Sequence, residues 1–160
     1  RMRHPNIVRL LAAAEEALPP YLVLEYVDGQ PLSDFATPDT LLPVPQVLDI
    51  AFKCCNALEY AYREGLVHRD IKPANLMLAH GGDVKLTDFG AALSLRSDAT
   101  QLSGLVGSPS YMSPEQVREQ DLTHHSDMFS LAVVVYELLT GRRPFDGDTD
   151  FATLLSLIHI

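Results

Sequence analysis

The amino-acid sequence predicts an α+β fold in which short strands precede and flank long helices. Three observations support this prediction. Two runs rich in aromatic, branched and small apolar residues lie near the start of the chain. A glycine pair, Gly81-Gly82, separates two further apolar runs, as in a β-hairpin. Apolar residues recur at helical spacing over residues 45–64 and fill residues 126–140, and both stretches are too long for ordinary strands.

The first strands are expected over residues 7–14 and 21–27, separated by a proline pair. Asp28-Gly29 ends the second strand, and residues 32–42 are expected to form a loose helical connection. Pro45 then opens a long amphipathic helix that ends at Gly65. Its apolar stripe consists of Val47, Ile50, Ala51, Cys54, Leu58, Ala61 and Tyr62.

The hairpin is expected to consist of strands over residues 75–79 and 84–89. Residues 91–110 are small and polar without a clear period, which predicts a long loop. Ser126 or Asp127 can cap the next helix, which runs to Thr140 and stops at Gly141. Because apolar residues cover all its faces, this helix should be buried. A last helical piece is expected over residues 151–160.

Composition narrows the possible functions. The chain has 160 residues, of which 12 are Lys or Arg and 21 are Asp or Glu, for a formal charge of −9. This sign argues against a nucleic-acid binder, whose affinity comes from neutralising phosphates. The two cysteines are adjacent, so they form no disulfide framework and indicate a reduced, cytoplasmic domain. No apolar run is long enough to span a membrane, although an anchor could lie outside these residues.

The hairpin also predicts a metal site. If Gly81 and Gly82 are the two turn residues, Asn75 lies opposite Asp88 at the open end of the ladder. Both side chains carry oxygen ligands of the kind that Mg²⁺ binds together with phosphates and water. The alternative is that the two residues only form strand ends and turns.

A motif around the hairpin favours the metal site. The tripeptide His68-Arg69-Asp70 precedes the first strand of the hairpin and is followed by Lys72 and Asn75. The tripeptide Asp88-Phe89-Gly90 lies at the end of the second strand. The chain therefore resembles the eukaryotic-type protein kinases, over essentially its whole length. Further segments that resemble the family are residues 4–10, 21–28, 108–115 and 126–145.

The resemblance implies the helical C-lobe of a protein-kinase-like fold, with the last strands and the hinge of the N-lobe. Residues 1–27 would end the N-lobe, and residues 28–160 would form a C-lobe that stops before its last helices. The family's Gly-rich loop and strand lysine do not occur in these residues. We therefore expect the 160 residues alone to be poorly active.

The resemblance also implies roles for residues. Asp70 would be the catalytic carboxylate, and Lys72 would neutralise charge on the transferred phosphoryl group. Asn75 and Asp88 would hold Mg²⁺ beside ATP. Lys72-Pro73-Ala74 resembles the serine/threonine class, whose substrates are Ser and Thr hydroxyls of proteins. Ser108 would lie on the substrate side of the site.

The hinge would bind adenine through the backbone of Glu25 and Val27, with Leu24 guarding the deeper pocket and Met77 forming its floor. Leu24 and Met77 can equally be described as core residues. Arg69 would pair with a phosphate on the activation loop, for which Thr100 and Ser103 are the favoured acceptors.

Two other functions remain open at this point. A pseudokinase that serves as a binding or scaffolding module would use the same fold, but it usually lacks the catalytic aspartate or the metal ligands. A small-molecule kinase would not need the segment over residues 107–115, which resembles a peptide platform. The leading interpretation is a protein serine/threonine kinase, and residues 111–116 resemble bacterial members.

Overall fold

The computed structural model describes residues 2–14, 16–89, 93–94 and 108–158. The strands of these residues are β1 (Leu10–Ala14), β2 (Tyr21–Leu24), β3 (Gly29–Pro31), β4 (Leu66–Val67), β5 (Leu76–Ala79), β6 (Val84–Leu86) and β7 (Leu93–Ser94). The helices are α1 (Val44–Arg63), α2 (Pro114–Val117), α3 (His124–Thr140) and α4 (Asp150–Ile158). The α+β prediction is confirmed. Among the described residues, no helix is both long and apolar enough to cross a membrane.

The first two strands form a separate antiparallel sheet, β1–β2. β1 begins later than predicted because the preceding residues turn towards the hairpin. Val8 N donates to the carbonyl of Leu86 at 2.8 Å, and Leu86 N donates to the carbonyl of Asn6 at 2.8 Å. Residues 6–8 therefore lie beside β6 instead of extending β1.

A three-stranded antiparallel sheet has the order β3-β5-β6. The sequence did not predict β3, since Asp28-Gly29 was expected to end a strand. Glycine is required here because a Cβ on Gly29 would come within 2.1 Å of the carbonyl oxygen of Leu78. β3 can therefore approach β5 closely only with a glycine at this position.

The β5–β6 hairpin has a different register from the predicted one. Leu76 pairs with Leu86 and Leu78 with Val84, so the two-residue turn at Gly81-Gly82 is wrong. Three residues, 80–82, form the loop, and Gly82 has a φ of 85°. A type I turn followed by a left-handed glycine is a common three-residue hairpin. Asn75 therefore lies opposite Thr87 and not opposite Asp88.

The helix α1 confirms the predicted element within two residues at its ends. Pro45 lies in its first turn, and Gly65 follows it with a φ of 81°. Its buried residues are Val47, Ile50, Cys54, Ala57, Leu58 and Ala61, which include most of the predicted stripe. This face of α1 packs against α3 and the hairpin.

The helix α3 begins earlier than predicted. Thr123 is its N-cap, since its hydroxyl accepts a hydrogen bond from His125 N at 3.2 Å, so a cap at Ser126 or Asp127 is wrong. The predicted end is confirmed, because Gly141 is left-handed with a φ of 68°. The helix is buried on one side only, since Met128, Tyr136 and Leu139 are exposed.

The predicted loop over residues 91–110 contains local structure. Leu93–Ser94 pairs with Leu66–Val67 as β7 and β4, and Pro109–Tyr111 forms a 3₁₀ turn. Residues 95–107 lie outside the described part of the chain. The helix α4 lies within the predicted final piece except for its first residue.

Candidate active site

The helix α3 positions the loop that carries the predicted catalytic residues. Asp127 in its first turn is 4% exposed, and its two carboxylate oxygens accept hydrogen bonds from His68 N and Arg69 N, each at 2.8 Å. Burial raises the pKa of Asp127, whereas the two N–H donors oppose this rise. Asp127 therefore joins the start of α3 to the loop that carries Asp70, Lys72 and Asn75.

Arg69 adopts a left-handed backbone, with a φ of 73°. A residue with a side chain rarely takes this conformation, because its Cβ crowds the following carbonyl. Asp127 binds the N–H of Arg69, and the side-chain amide of Gln116 donates to its carbonyl at 2.9 Å. The unusual turn at Arg69 directs the chain into Asp70.

Asp70, Lys72 and Asn75 form one cluster. The ammonium of Lys72 lies 2.7 Å from Oδ2 of Asp70. Asn75 Nδ2 donates to the same oxygen at 3.0 Å and to the backbone carbonyl of Asp70 at 2.8 Å. The side chain of Asp70 is 14% exposed, so its carboxylate is held in place yet reachable.

Ser108 lies beside this cluster. Lys72 Nζ donates to the hydroxyl of Ser108 at 3.1 Å while it contacts Asp70. Lysine has three donors and no acceptor, so one ammonium can serve both partners. The structure thus brings Ser108 together with Asp70, Lys72 and Asn75, although it lies more than 30 residues further along the sequence.

Asp88 follows the last residues of the hairpin. Thr87 N donates to the carbonyl of Asn75 at 3.0 Å, and Asp88 comes next with a φ of 62°. Burial lowers the pKa of His68, and the carboxylates of Asp127, Asp70 and Asp88 oppose this effect. Asp88 thus directly follows the residue that is hydrogen-bonded to Asn75.

His68 is a packed structural residue. It is fully buried, its ring lies 4.5 Å from that of Phe89, and its Nε2 is 3.0 Å from the carbonyl of Thr87. A carbonyl can only accept, so Nε2 carries the proton, and Nδ1 accepts from Asp70 N at 3.4 Å. A neutral histidine thus joins the catalytic loop to the end of β6.

A family model for the protein kinase domain matches residues 1–159 of the chain. The chain belongs to the protein kinase family. The match covers every described residue, so the loop that carries Asp70, Lys72 and Asn75 and the β5–β6 hairpin lie within this kinase domain. This finding confirms the resemblance on which the predicted fold was based.

Curated relatives are bacterial kinases. The probable serine/threonine-protein kinase PknB of Bifidobacterium longum is 41% identical over 95% of this chain and 24% of its own length. The serine/threonine-protein kinase PrkC of Bacillus subtilis is 41% identical, over 98% of this chain and 24% of its own. PknB of Mycobacterium leprae is 40% identical, over 92% and 25%. The chain thus spans about a quarter of the length of the curated relatives it matches.

The predicted hinge of this kinase chain follows β2. Leu24 ends that strand and is 41% exposed, and Val27 is half-buried. Glu25 N donates to the carbonyl of Arg9 at 2.9 Å, while its carboxylate lies 2.6 Å from Lys85 Nζ. The hydrogen bond from Lys85 lowers the pKa of Glu25, which burial opposes. The side chain of Glu25 thus anchors the hinge to β6.

Met77 lies in the other sheet, on β5. It pairs with Pro31 on one side and with Lys85 on the other, and it is half-buried. Leu76 and Leu78, its neighbours along the strand, point into the core. Met77 therefore lies on the opposite face of the strand from the main core, because successive side chains of a strand alternate between its two faces.

The predicted regulatory residues are only partly described. Arg69 is in the catalytic loop, and its Nε is buried without a hydrogen-bond partner among the described residues. Thr100 and Ser103 lie outside the described residues, as does Gly90.

Sequence reasoning missed a set of polar contacts between the 3₁₀ turn at Pro109–Tyr111 and the C-terminal part of α3 with the residues after it. The hydroxyl of Tyr111 donates to Glu137 Oε2 at 2.7 Å, and Arg143 donates to the hydroxyl of Ser110 at 2.9 Å. Burial raises the pKa of Glu137, and the hydrogen bond from Tyr111 opposes this. The signal was a glutamate inside an otherwise apolar helix, since a buried carboxylate requires a donor.

Proposed function

We propose that this chain carries the catalytic site of a protein serine/threonine kinase, which transfers the γ-phosphoryl group of ATP to Ser or Thr hydroxyls of proteins. The observation that supports it is the cluster of Asp70, Lys72 and Asn75 beside Ser108. A carboxylate that is fixed in place, mostly covered and paired with an ammonium suits proton acceptance next to developing negative charge. The names of the relatives favour the serine/threonine class.

In this proposal Asp70 orients the substrate hydroxyl and accepts its proton. Asn75 keeps the carboxylate from rotating, because it binds both the side chain and the backbone of Asp70. Lys72 can move between Asp70 and the transferred group, since its side chain is flexible and carries three donors. Its contact with Ser108 brings the substrate side of the site against the same ammonium.

Asn75 and Asp88 are suited to Mg²⁺. The amide nitrogen of Asn75 is used by Asp70, which leaves its oxygen as an acceptor for a ligand. Asp88 supplies a carboxylate at the open end of the hairpin, directly after Thr87, whose N–H is bound to the carbonyl of Asn75. Both are hard oxygen ligands, and Mg²⁺ bound there would neutralise phosphate charge.

For ATP, the backbone of Glu25 and Val27 would bind adenine, with Leu24 at the deeper side and Met77 as the floor. The support is that the carboxylate of Glu25 is bound to Lys85, next to Met77 in the hairpin register. We also propose that residues 1–27 belong to the N-lobe and residues 28–160 to the C-lobe. This division agrees with the separate β1–β2 and β3-β5-β6 sheets.

We further propose that Arg69 binds a phosphate on Thr100 or Ser103. Its buried Nε, which is unpartnered within the described residues, supports an anionic ligand. Its guanidinium could bind two phosphate oxygens at once. The free cysteines Cys54 and Cys55 favour a cytoplasmic location for this kinase.

The experiment is a phosphoryl-transfer assay with the full-length protein, Mg-ATP and a generic Ser/Thr substrate. We expect Asp70→Asn to lower kcat by about 100-fold or more, since the amide cannot accept a proton. Asp39→Asn, at an exposed turn residue, is the matched control and should leave kcat unchanged. If neither the wild type nor the control transfers phosphate while both are folded, the proposal is wrong and a pseudokinase is favoured.

A further inference from the structure

Gln116 lies in the short helix α2, which follows Ser108 and the 3₁₀ turn at Pro109–Tyr111. Its side chain is 8% exposed, and both ends of its amide are used. The oxygen accepts from Ser113 N at 3.0 Å, and the nitrogen donates to the carbonyl of Arg69 at 2.9 Å. One half of the amide therefore belongs to α2 and the other half to the catalytic loop.

The half that belongs to α2 forms a capping box. Ser113 Oγ accepts from Gln116 N at 3.3 Å, while Gln116 Oε1 accepts from Ser113 N. This motif needs only an acceptor at the third helical position, and glutamate serves as well as glutamine. The capping role therefore gives no reason for an amide nitrogen at residue 116.

The other half reaches the most strained residue of the catalytic loop. Arg69 has a φ of 73°, a backbone conformation that is unfavourable for a residue with a Cβ and persists only where the surroundings hold it. Asp127 binds its N–H and Gln116 binds its carbonyl, so side chains from α3 and α2 hold the two polar ends of this residue. The carbonyl of Arg69 belongs to the peptide group whose nitrogen is that of Asp70.

We propose that Gln116 is a positioning residue for phosphoryl transfer, since it holds the Arg69–Asp70 peptide in the orientation that directs the Asp70 carboxylate at the substrate hydroxyl. The inference rests on the proposed kinase function. It also makes the placement of Asp70 depend on α2, which is linked through Ser108 and Tyr111 to the substrate side of the site. Asn75 binds the carbonyl of Asp70, so the peptide groups on both sides of the catalytic residue are held by side-chain amides.

The test separates the two halves of the amide. Gln116→Glu keeps the acceptor for Ser113 N but replaces the donor to Arg69 with an oxygen. Ser113→Ala removes a bond of the same capping box and leaves the donor to Arg69 in place. Gln116→Met keeps the approximate length of the side chain without the amide oxygen and nitrogen. It replaces Gln116→Glu in the assay if the buried carboxylate of that variant prevents folding.

The full-length protein is assayed for kcat, for KM of ATP and of a Ser/Thr peptide, and for Tm. We expect Gln116→Glu, or Gln116→Met in its place, to lower kcat about 10- to 100-fold with KM for ATP within about twofold, because a small misplacement of a catalytic group has an effect of this size. Ser113→Ala should lower Tm by a few degrees and leave kcat close to wild type.

Three outcomes overturn the inference. The first is a kcat of the Gln116 variants equal to that of the wild type, with Asp70→Asn inactive, which leaves the kinase function standing. The second is an equal loss of kcat in Ser113→Ala, which would assign the effect to the stability of α2. The third is a folded wild type without transfer activity, which removes the proposed function as well.

Discussion

Arg69 and Asp88 both hold left-handed backbone although neither is glycine, with φ values of 73° and 62°. Each such residue costs about 1–3 kcal/mol, and these conformations cluster where a side chain has to be aimed. Arg69 immediately precedes Asp70, and Asp88 follows the residue that binds Asn75. Strain therefore lies beside the carboxylates to which we assign proton and metal binding.

His68 carries the pH-dependent prediction at this scale. Burial lowers its pKa, and protonation of Nδ1 would direct a donor at Asp70 N, which is itself a donor. In the unfolded chain this histidine has a pKa of about 6.5. Between that value and the lower folded pKa, the unfolded state binds more protons. The free energy of unfolding should therefore decrease as the pH falls through this window.

The measurement is an NMR titration of the His68 imidazole nitrogens in the folded full-length protein, with the urea-unfolded chain as control. We expect the folded midpoint to lie below the unfolded one, with the proton on Nε2 throughout the neutral range. A folded midpoint equal to or above the unfolded one would contradict the described packing of the ring.

Among the elements, the β5–β6 hairpin shows how one glycine sets a register. A type I turn over residues 79–82 is closed by Gly82 N, which donates to the carbonyl of Ala79 at 2.8 Å. The left-handed Gly82 then returns the chain into β6, so the loop contains three residues. The observed ladder is shifted by one residue from the predicted one. Asn75 therefore lies opposite Thr87, and the predicted pairing of Asn75 with Asp88 is wrong.

Substitutions at three glycines test this reasoning, because they distinguish the cost of a left-handed backbone from the cost of steric crowding around a Cβ. Gly81 has open space around it, and its φ is not in the left-handed region, whereas Gly82 has open space and a φ of 85°. Gly141 has a φ of 68°, and a Cβ there would come within 2.5 Å of Pro38 N. Substitution by alanine should therefore be least costly at Gly81 and most costly at Gly141.

In urea unfolding, we expect Gly81→Ala to change the free energy of unfolding by less than about 0.5 kcal/mol. Gly82→Ala should lower it by about 1–2 kcal/mol, the cost of left-handed backbone for a residue with a Cβ. Gly141→Ala should lower it further. An equal loss at Gly81 and Gly82 would mean that the described turn is wrong.

Across the whole molecule, α3 links the functional parts. Its first turn holds the catalytic loop through Asp127, and Ser126 Oγ donates to Glu115 in α2 at 2.6 Å. Ser130 Oγ donates to the carbonyl of Tyr111 at 2.7 Å, and Glu137 accepts from the same tyrosine. The partners of these polar residues explain why they occur inside a largely apolar helix.

Regulation through Arg69 is a prediction at this scale, because it couples residues 95–107 to the catalytic loop. The phosphorylated full-length protein should be more active than the double variant Thr100→Ala with Ser103→Ala, since a phosphate would bind the Arg69 guanidinium. The matched pair Ser94→Ala with Ser97→Ala should have a smaller effect. Activity of the first double variant equal to that of the phosphorylated enzyme would exclude this mechanism.

The sequence alone predicted α1 and the end of α3 at Gly141, and its motifs supplied the residues that we propose for the site. These features depend on local chemistry, namely periodicity, glycine at helix ends and the spacing of polar residues within one short loop. A pattern of this kind is readable because each part of it lies within a few residues of the next.

Tertiary structure decided the rest. β3 exists only because β5 lies beside it, and Ser126 donates to Glu115 in α2 whereas Thr123 caps α3. Gln116 and Glu137 acquire their partners from segments 47 and 26 residues away. Hydrogen bonds between such distant residues have no local signature, since they depend on which surfaces the fold brings into contact. The sequence therefore predicted the motifs that carry the proposed site, whereas the distant side chains that position these motifs were visible only in the folded molecule.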